Sequence, residues 1–221
     1  MNALIFYGGW GGHTPAETTE IFERELVAKG VEVRREPTLD ALADGEALKR
    51  LDLIVPHWTT GEMPKELWKN LSAAVRSGVG LAGVHGGAGD AFRGNVDYQW
   101  MVGGQFVGHP HVGEYTVRLT GASSPITEGM PREFAYKSEQ YYMLVDPGVT
   151  VLADTLYDHG GRQVVMPAVW TKTWGAGRVF YSSLGHVAQE FTDYPNVLAM
   201  TVRGMLWAAR RGATERPAED R

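Results

Sequence analysis

Seven histidines and no cysteine set the chemistry this 221-residue chain can offer. In "GVGLAGVHGGAGDAF", residues 78–92, an apolar run empties into glycines, with His85 at the junction. A sharp strand-to-turn junction is where α/β enzymes display a nucleophile, and here the displayed group is an imidazole. His13, His57 and His186 also follow apolar runs. His109 and His111 fall in the glycine-rich "GHPHVG", read as a loop, and His159 in the turn "DHGG". Imidazole moves protons near physiological pH and ligates zinc-like ions. A set drawn from His13, His85, His109 and His186 is the nitrogen-rich option for a divalent Zn or Mn ion. No H-x₃-H spacing is present, so the fold alone would have to gather these ligands.

Several familiar chemistries fail on the residues. "GGWGGHT" has Thr14 where the last glycine of G-x-G-x-x-G would fall, although Glu36 lies at a plausible distance for a ribose contact, so no nucleotide cofactor is expected. "GHPH" is not H-E-x-x-H, and Pro110 argues against a helix there. "GVHGG" offers no serine for a G-x-S-x-G elbow. Trp10 and Trp58 share the stretches that hold His13 and His57, and their flat faces could stack on sugar rings.

The elements that must position these groups follow an α/β rhythm. "ALIFY" (3–7), "LDLIVP" (51–56) and "VGLAGV" (79–84) read as buried strands, and "VEVRRE" (31–36) as an outer one. Thr14, Pro15 and Glu17 predict a capping-box helix start, with Phe22 and Leu26 on one face and a stop at Gly30. Pro64 opens a second helix carrying Leu67, Leu71 and Val75. This alternation implies a parallel sheet with right-handed crossovers. Ligands bind such sheets at the carboxyl ends of the strands, the edge from which His13, His57, His85 and His186 would project. Beyond it "EYTVRL", "TVLADTLY", "QVVMPAVW" and "GRVFYSSL" are β-rich, with hairpin signals at "DHGG" and "WGAG". A last helix starts near Asn196. The expectation is one domain over 1–211, a mainly parallel central sheet with an antiparallel C-terminal extension, and a polar tail at 212–221.

A net charge of −5 disfavours nucleic acid as a partner. No stretch approaches the roughly 20 apolar residues of a membrane span, and "MNALIFYGG" lacks a signal peptide's basic start. A cytoplasmic protein is expected.

Read together, "GGWGGHTP", "GVGLAGVHGG", "MVGGQFVGHPH", "SEQYY", "PAVWTKTWGAGRVFYSSLGH" and "RGMLWA" resemble the trehalose-utilization (ThuA-like) family over about residues 3 to 210. The resemblance implies a flavodoxin-like, three-layer fold like that of class I glutamine amidotransferases. It places His85 where those enzymes carry their cysteine and His186 near the end of a late strand, so thioester chemistry is excluded. Carried over by motif, His13, His85, His109, Glu139 and His186 match family positions, with Asp90 and Gln105 beside them. The implied activity is acid–base chemistry on a sugar or keto-sugar by His85, His186 and Glu139. Trp10, Trp58, His57, Asp90 and Gln105 are candidate substrate contacts. The alternatives are a non-catalytic carbohydrate-binding or regulatory module, and an interaction role through assembly as a homo-oligomer.

Overall fold

The computed structural model describes residues 1–210, so the expected polar tail at 212–221 lies outside the described residues. Its first strand, β1 (Asn2–Gly9), buries Leu4, Ile5 and Phe6 completely, as a strand covered on both faces must. Helix α1 (Pro15–Val27) follows, then β2 (Glu32–Glu36), short α2 (Gly45–Lys49), β3 (Leu53–Thr59), α3 (Lys65–Arg76) and β4 (Gly80–Val84). The expected capping box is not formed. Thr14 sits in the left-handed region at φ 46° with no side-chain cap bond, and its hydroxyl instead accepts from the Ala188 amide at 2.8 Å. That contact ties the start of α1 to the first residue of a helix more than 170 residues away.

After β4 come two short helices, α4 (His85–Gly89) and α5 (Val96–Val102). Long strands β5 (Gly104–Leu119), β6 (Glu133–Val145), β7 (Thr150–His159) and β8 (Arg162–Trp174) follow. Strand β9 (Gly177–Ser182) and helices α6 (Ala188–Asp193) and α7 (Pro195–Ala208) close the fold. All nine strands form one sheet in the order β2-β1-β3-β4-β9-β8-β7-β5-β6. The ladders from β2 to β9 are parallel and those from β9 to β6 antiparallel.

The sheet is therefore mixed, and the mainly parallel reading is corrected. "EYTVRL" is only the end of a 16-residue strand, and β6 adds 13 residues that carry no simple apolar alternation. Strand β9, read as part of the extension, inserts parallel to β4 and antiparallel to β8, so it joins the two halves.

One apolar layer packs α1, α6 and α7 against Ala3, Ile5, Leu53, Val55, Ala82 and Val84. The other packs α2, α3 and α5 against Leu4, Phe6, Ile54, Leu81 and Trp170. Alternation along β3 thus sends His57 to the first layer and Trp58 to the second. Among the described residues no helix is long and apolar enough to cross a membrane.

Candidate functional site

Five strand spacings of about 4.8 Å separate β4 from β6, about 24 Å in a flat sheet. Yet the Tyr141 hydroxyl of β6 lies 2.8 Å from Nδ1 of His85 at the end of β4. The antiparallel half therefore curls back over the carboxyl ends of the parallel strands and roofs them with β5 and β6. This closure builds the site.

His85 opens α4 with φ 45°, in the left-handed region that a non-glycine residue occupies only at a cost. Tyr181 of the neighbouring β9 donates to its carbonyl at 3.1 Å, and the Tyr141 ring lies 4.0 Å from its ring. The next two residues must be glycine for steric reasons. A Cβ on Gly86 would meet His13 Cε1 at 2.2 Å, and one on Gly87 would meet His57 Nδ1 at 2.4 Å. Without side chains there, two imidazoles pack directly on the backbone of α4.

The rings of His13, His85 and His186 form the centre. His13 lies 4.9 Å from His85 and 5.2 Å from His186, and His85 lies 5.3 Å from His186, measured between ring centroids. His13 Nδ1 is held by the Thr59 hydroxyl at 2.7 Å. The His186 amide donates to Glu190 at 2.8 Å; Tyr136 also donates to Glu190 and accepts from the Gly185 amide, which fixes the loop after β9.

Glu139 enters from β6, its own carbonyl held by Tyr115 at 3.1 Å. Its Oε2 lies 3.7 Å from His85 Nε2, and its Oε1 lies 3.7 Å from His109 Nε2 and 3.8 Å from His186 Nε2. These separations exceed hydrogen-bond length. The carboxylate is ringed by imidazole nitrogens without bonding any of them directly.

Burial keeps His13, His57 and His85 neutral. It lowers His13 to about 3, helped by repulsion from His186 and His57, and lowers His57 to about 4. His85 is pushed well below its ordinary value by burial, then by its histidine neighbours. Burial raises the Tyr141 phenol well above its usual range, so it keeps its proton. His85 Nε2 and His186 Nε2 are both buried with no hydrogen-bond partner in the protein. A buried unpaired polar atom costs about 1–3 kcal/mol, so two such atoms facing one carboxylate mark a place built to hold something.

The model of the ThuA family, described as trehalose utilisation, covers residues 2–208. The chain belongs to the ThuA family. Its fold is shared by two ThuA-like proteins of known structure. One, from Parabacteroides merdae, is 18% identical with a TM-score of 0.73, covering 100% of this chain and 94% of that one. The other, from Bacteroides uniformis, is 21% identical with a TM-score of 0.76, covering 94% and 91%. A protein from Salmonella typhimurium described as cytoplasmic is 14% identical with a TM-score of 0.67, covering 96% and 100%. No curated protein matches the sequence.

Within this ThuA-family site, the other candidates divide. Trp10 is 54% exposed and its ring edge meets His13 at 4.8 Å, so it stands at the rim. His57 is buried beneath Gly87 against Phe22, one layer below the cluster and out of reach of a ligand. Trp58 points to the opposite face from His57 and packs, half-buried, over Gly8 against the second apolar layer.

Gln105 is corrected by the same alternation. It pairs with exposed Leu144, whereas its neighbour Phe106 turns inward and stacks on Tyr141 at 4.3 Å. Asp90, buried at the end of α4, binds the Arg93 guanidinium and through its carbonyl accepts from the Thr60 amide, so it braces the elbow. "GHPH" is a bulged part of β5 rather than a loop. Register shifts on either side of Gly108 carry His109 toward Glu139, while His111 bonds the Glu114 carbonyl away from the site. His159 ends β7 in the hairpin, outside the cluster.

Sequence reasoning missed Tyr141, Tyr181, Thr59 and Glu190. The signal for Tyr141 was present, since it stands two residues from Glu139 in "SEQYY".

Proposed function

We propose that this ThuA-family protein is an enzyme of carbohydrate metabolism that moves a proton on an oxidised sugar, a keto-disaccharide of the trehalose type. His85 is the proton-transferring group. The observation that carries this reading is the unpartnered, buried His85 Nε2 facing the Glu139 carboxylate at 3.7 Å, with Nδ1 on the Tyr141 hydroxyl.

A hydrogen on the carbon beside a ketone is acidic, and a positioned base removes it. Nε2 takes that proton, and the C–H electron pair moves toward the carbonyl carbon as the C=O pair shifts onto oxygen. Burial disfavours the imidazolium that forms, and the adjacent carboxylate of Glu139 offsets that cost. Tyr141 can accept from Nδ1–H in either state of the ring. His13 and His186, whose rings lie within 5.3 Å of the His85 ring, are placed to meet the substrate oxygen, and Trp10 offers its exposed face to the sugar ring. With no thiol anywhere in the chain, amidotransferase chemistry has no nucleophile.

A cytoplasmic setting is supported by the likeness to the Salmonella protein described as cytoplasmic. The test is a screen of oxidised disaccharides and their unoxidised parents against purified protein, with products separated by chromatography. Conversion of an oxidised member that is lost in His85→Ala supports the reading. No conversion of any oxidised disaccharide overturns it.

A further inference from the structure

We propose that His13, Glu139 and His186 form a binding site for one divalent transition-metal ion of the zinc type. One ligand atom from each of the three residues lies within 4.8 Å of the others. Tetrahedral zinc with bonds of about 2.0–2.1 Å needs donors about 3.4 Å apart. The 3.8 Å between Glu139 Oε1 and His186 Nε2 is already close to that, and rotation of the Glu139 side chain supplies the rest. This inference rests on the proposed sugar reading only for its chemical use. The site itself stands on geometry.

Three further features point to a metal rather than to a plain polar pocket. The His13 Nδ1–Thr59 Oγ1 bond at 2.7 Å is the kind of outer contact that fixes a ligating imidazole, with Nδ1 protonated and Nε2 presenting its lone pair. His186 Nε2 is buried and unpartnered within the protein. The ligands also come from rigid supports: His13 lies on the glycine backbone of α4, His186 is held by Glu190, and Glu139 by Tyr115.

The set differs from an all-histidine one. His85 is engaged at Nδ1 by Tyr141 and remains beside the ion, and His109, 44% exposed on the β5 bulge, flanks it. Two imidazoles and one carboxylate leave a fourth position open, the arrangement of a catalytic rather than a structural zinc site. A ketone or hydroxyl oxygen of a sugar is the ligand chemistry that position would take, and polarising a ketone there acidifies the neighbouring C–H.

The test uses full-length protein purified without a histidine tag, stripped by chelator, then titrated with Zn²⁺ by calorimetry and with Co²⁺ by visible absorption. One ion per chain is expected. Glu139→Gln, an isosteric change at a partly exposed residue, and His186→Gln should each weaken Zn²⁺ binding by about tenfold or more and change the Co²⁺ spectrum. His111→Gln and His159→Gln should leave both unchanged. Stoichiometry well below one, or titrations indifferent to Glu139→Gln and His186→Gln, would overturn the site. The two readings fail separately. Zinc binding that obeys this ligand pattern, without conversion of any keto-sugar, supports the metal site and overturns the sugar reading. Full conversion by chelator-stripped protein overturns any role for the ion in the reaction and leaves His85 as the acting group.

Discussion

The Tyr141 hydroxyl lies 2.8 Å from Nδ1 of His85, joining the edge strand β6 of the antiparallel half to the end of the parallel strand β4. The bond fixes the orientation of the His85 ring. Tyr141→Phe keeps the ring contact and deletes the bond, so stability should fall by only about 0.5–1.5 kcal/mol. Turnover should fall by about tenfold or more with KM little changed, as for loss of a group that orients a reacting side chain. Steady-state kinetics beside a denaturant melt separates the two effects, and an unchanged kcat would show that His85 needs no orienting partner.

Gly86→Ala should be among the most damaging small substitutions in the chain. The added methyl meets His13 Cε1 at 2.2 Å and Nδ1 at 2.7 Å, so the ring must leave its place. Overpacking of this kind costs about 1–3 kcal/mol. Gly94→Ala, where nothing lies within 4 Å, is the control and should melt with the wild type. Equal melting of the two variants would mean that the His13 ring is free to move.

Much of the parallel half was legible because strands covered on both faces read as continuous apolar runs, such as "ALIFY" and "LDLIVP". The histidines at their ends could be grouped by that rule alone. The roof could not. Strand β6 switches its buried face between Tyr136 and Tyr141, and β5 is broken by a bulge at Gly108, so neither shows the alternation that identifies a strand. With the roof only partly read, Tyr141 and Tyr115 were not recognised as partners, and Gln105 was given the inner face of β5 that Phe106 takes. Thr14 is the N-cap of α1, as local sequence marked it, but the distant Ala188 amide claims its hydroxyl in place of a capping bond.

Stability should decline on acidification, and the sign follows from the depressed histidines. His13 and His57 titrate at about 3 and about 4 in the fold against 6.5 in the unfolded chain. Below 6.5 the unfolded chain therefore binds protons that the folded one refuses. Each group contributes a loss of up to about 1.4 kcal/mol per pH unit until its folded pKa is reached. Urea midpoints of chelator-stripped protein should fall between about pH 7 and about pH 5, and the fall should be shallower in His57→Gln. A flat profile over that window would contradict neutral burial of these rings.

Glu190→Ala should act at a distance on His186. Its carboxylate accepts from the His186 amide at 2.8 Å and from the Tyr136 hydroxyl, so both donors lose their partner. A loss on the order of 1–3 kcal/mol is expected from the unpaired groups, together with weakened Zn²⁺ affinity that Glu190→Gln partly restores. Full Zn²⁺ affinity in Glu190→Ala would show that His186 holds its place without this support.

Deuterium exchange reads on its own the proposed transfer of a proton to His85 from the carbon beside a sugar ketone. A keto-disaccharide is incubated with the protein in heavy water and the hydrogen beside the ketone is followed by NMR. The wild type should replace that hydrogen with deuterium, and His85→Ala should slow the exchange by about 10²–10⁴-fold, while His159→Gln exchanges like the wild type. Exchange that proceeds equally in His85→Ala, or no exchange above the protein-free rate, would contradict the account.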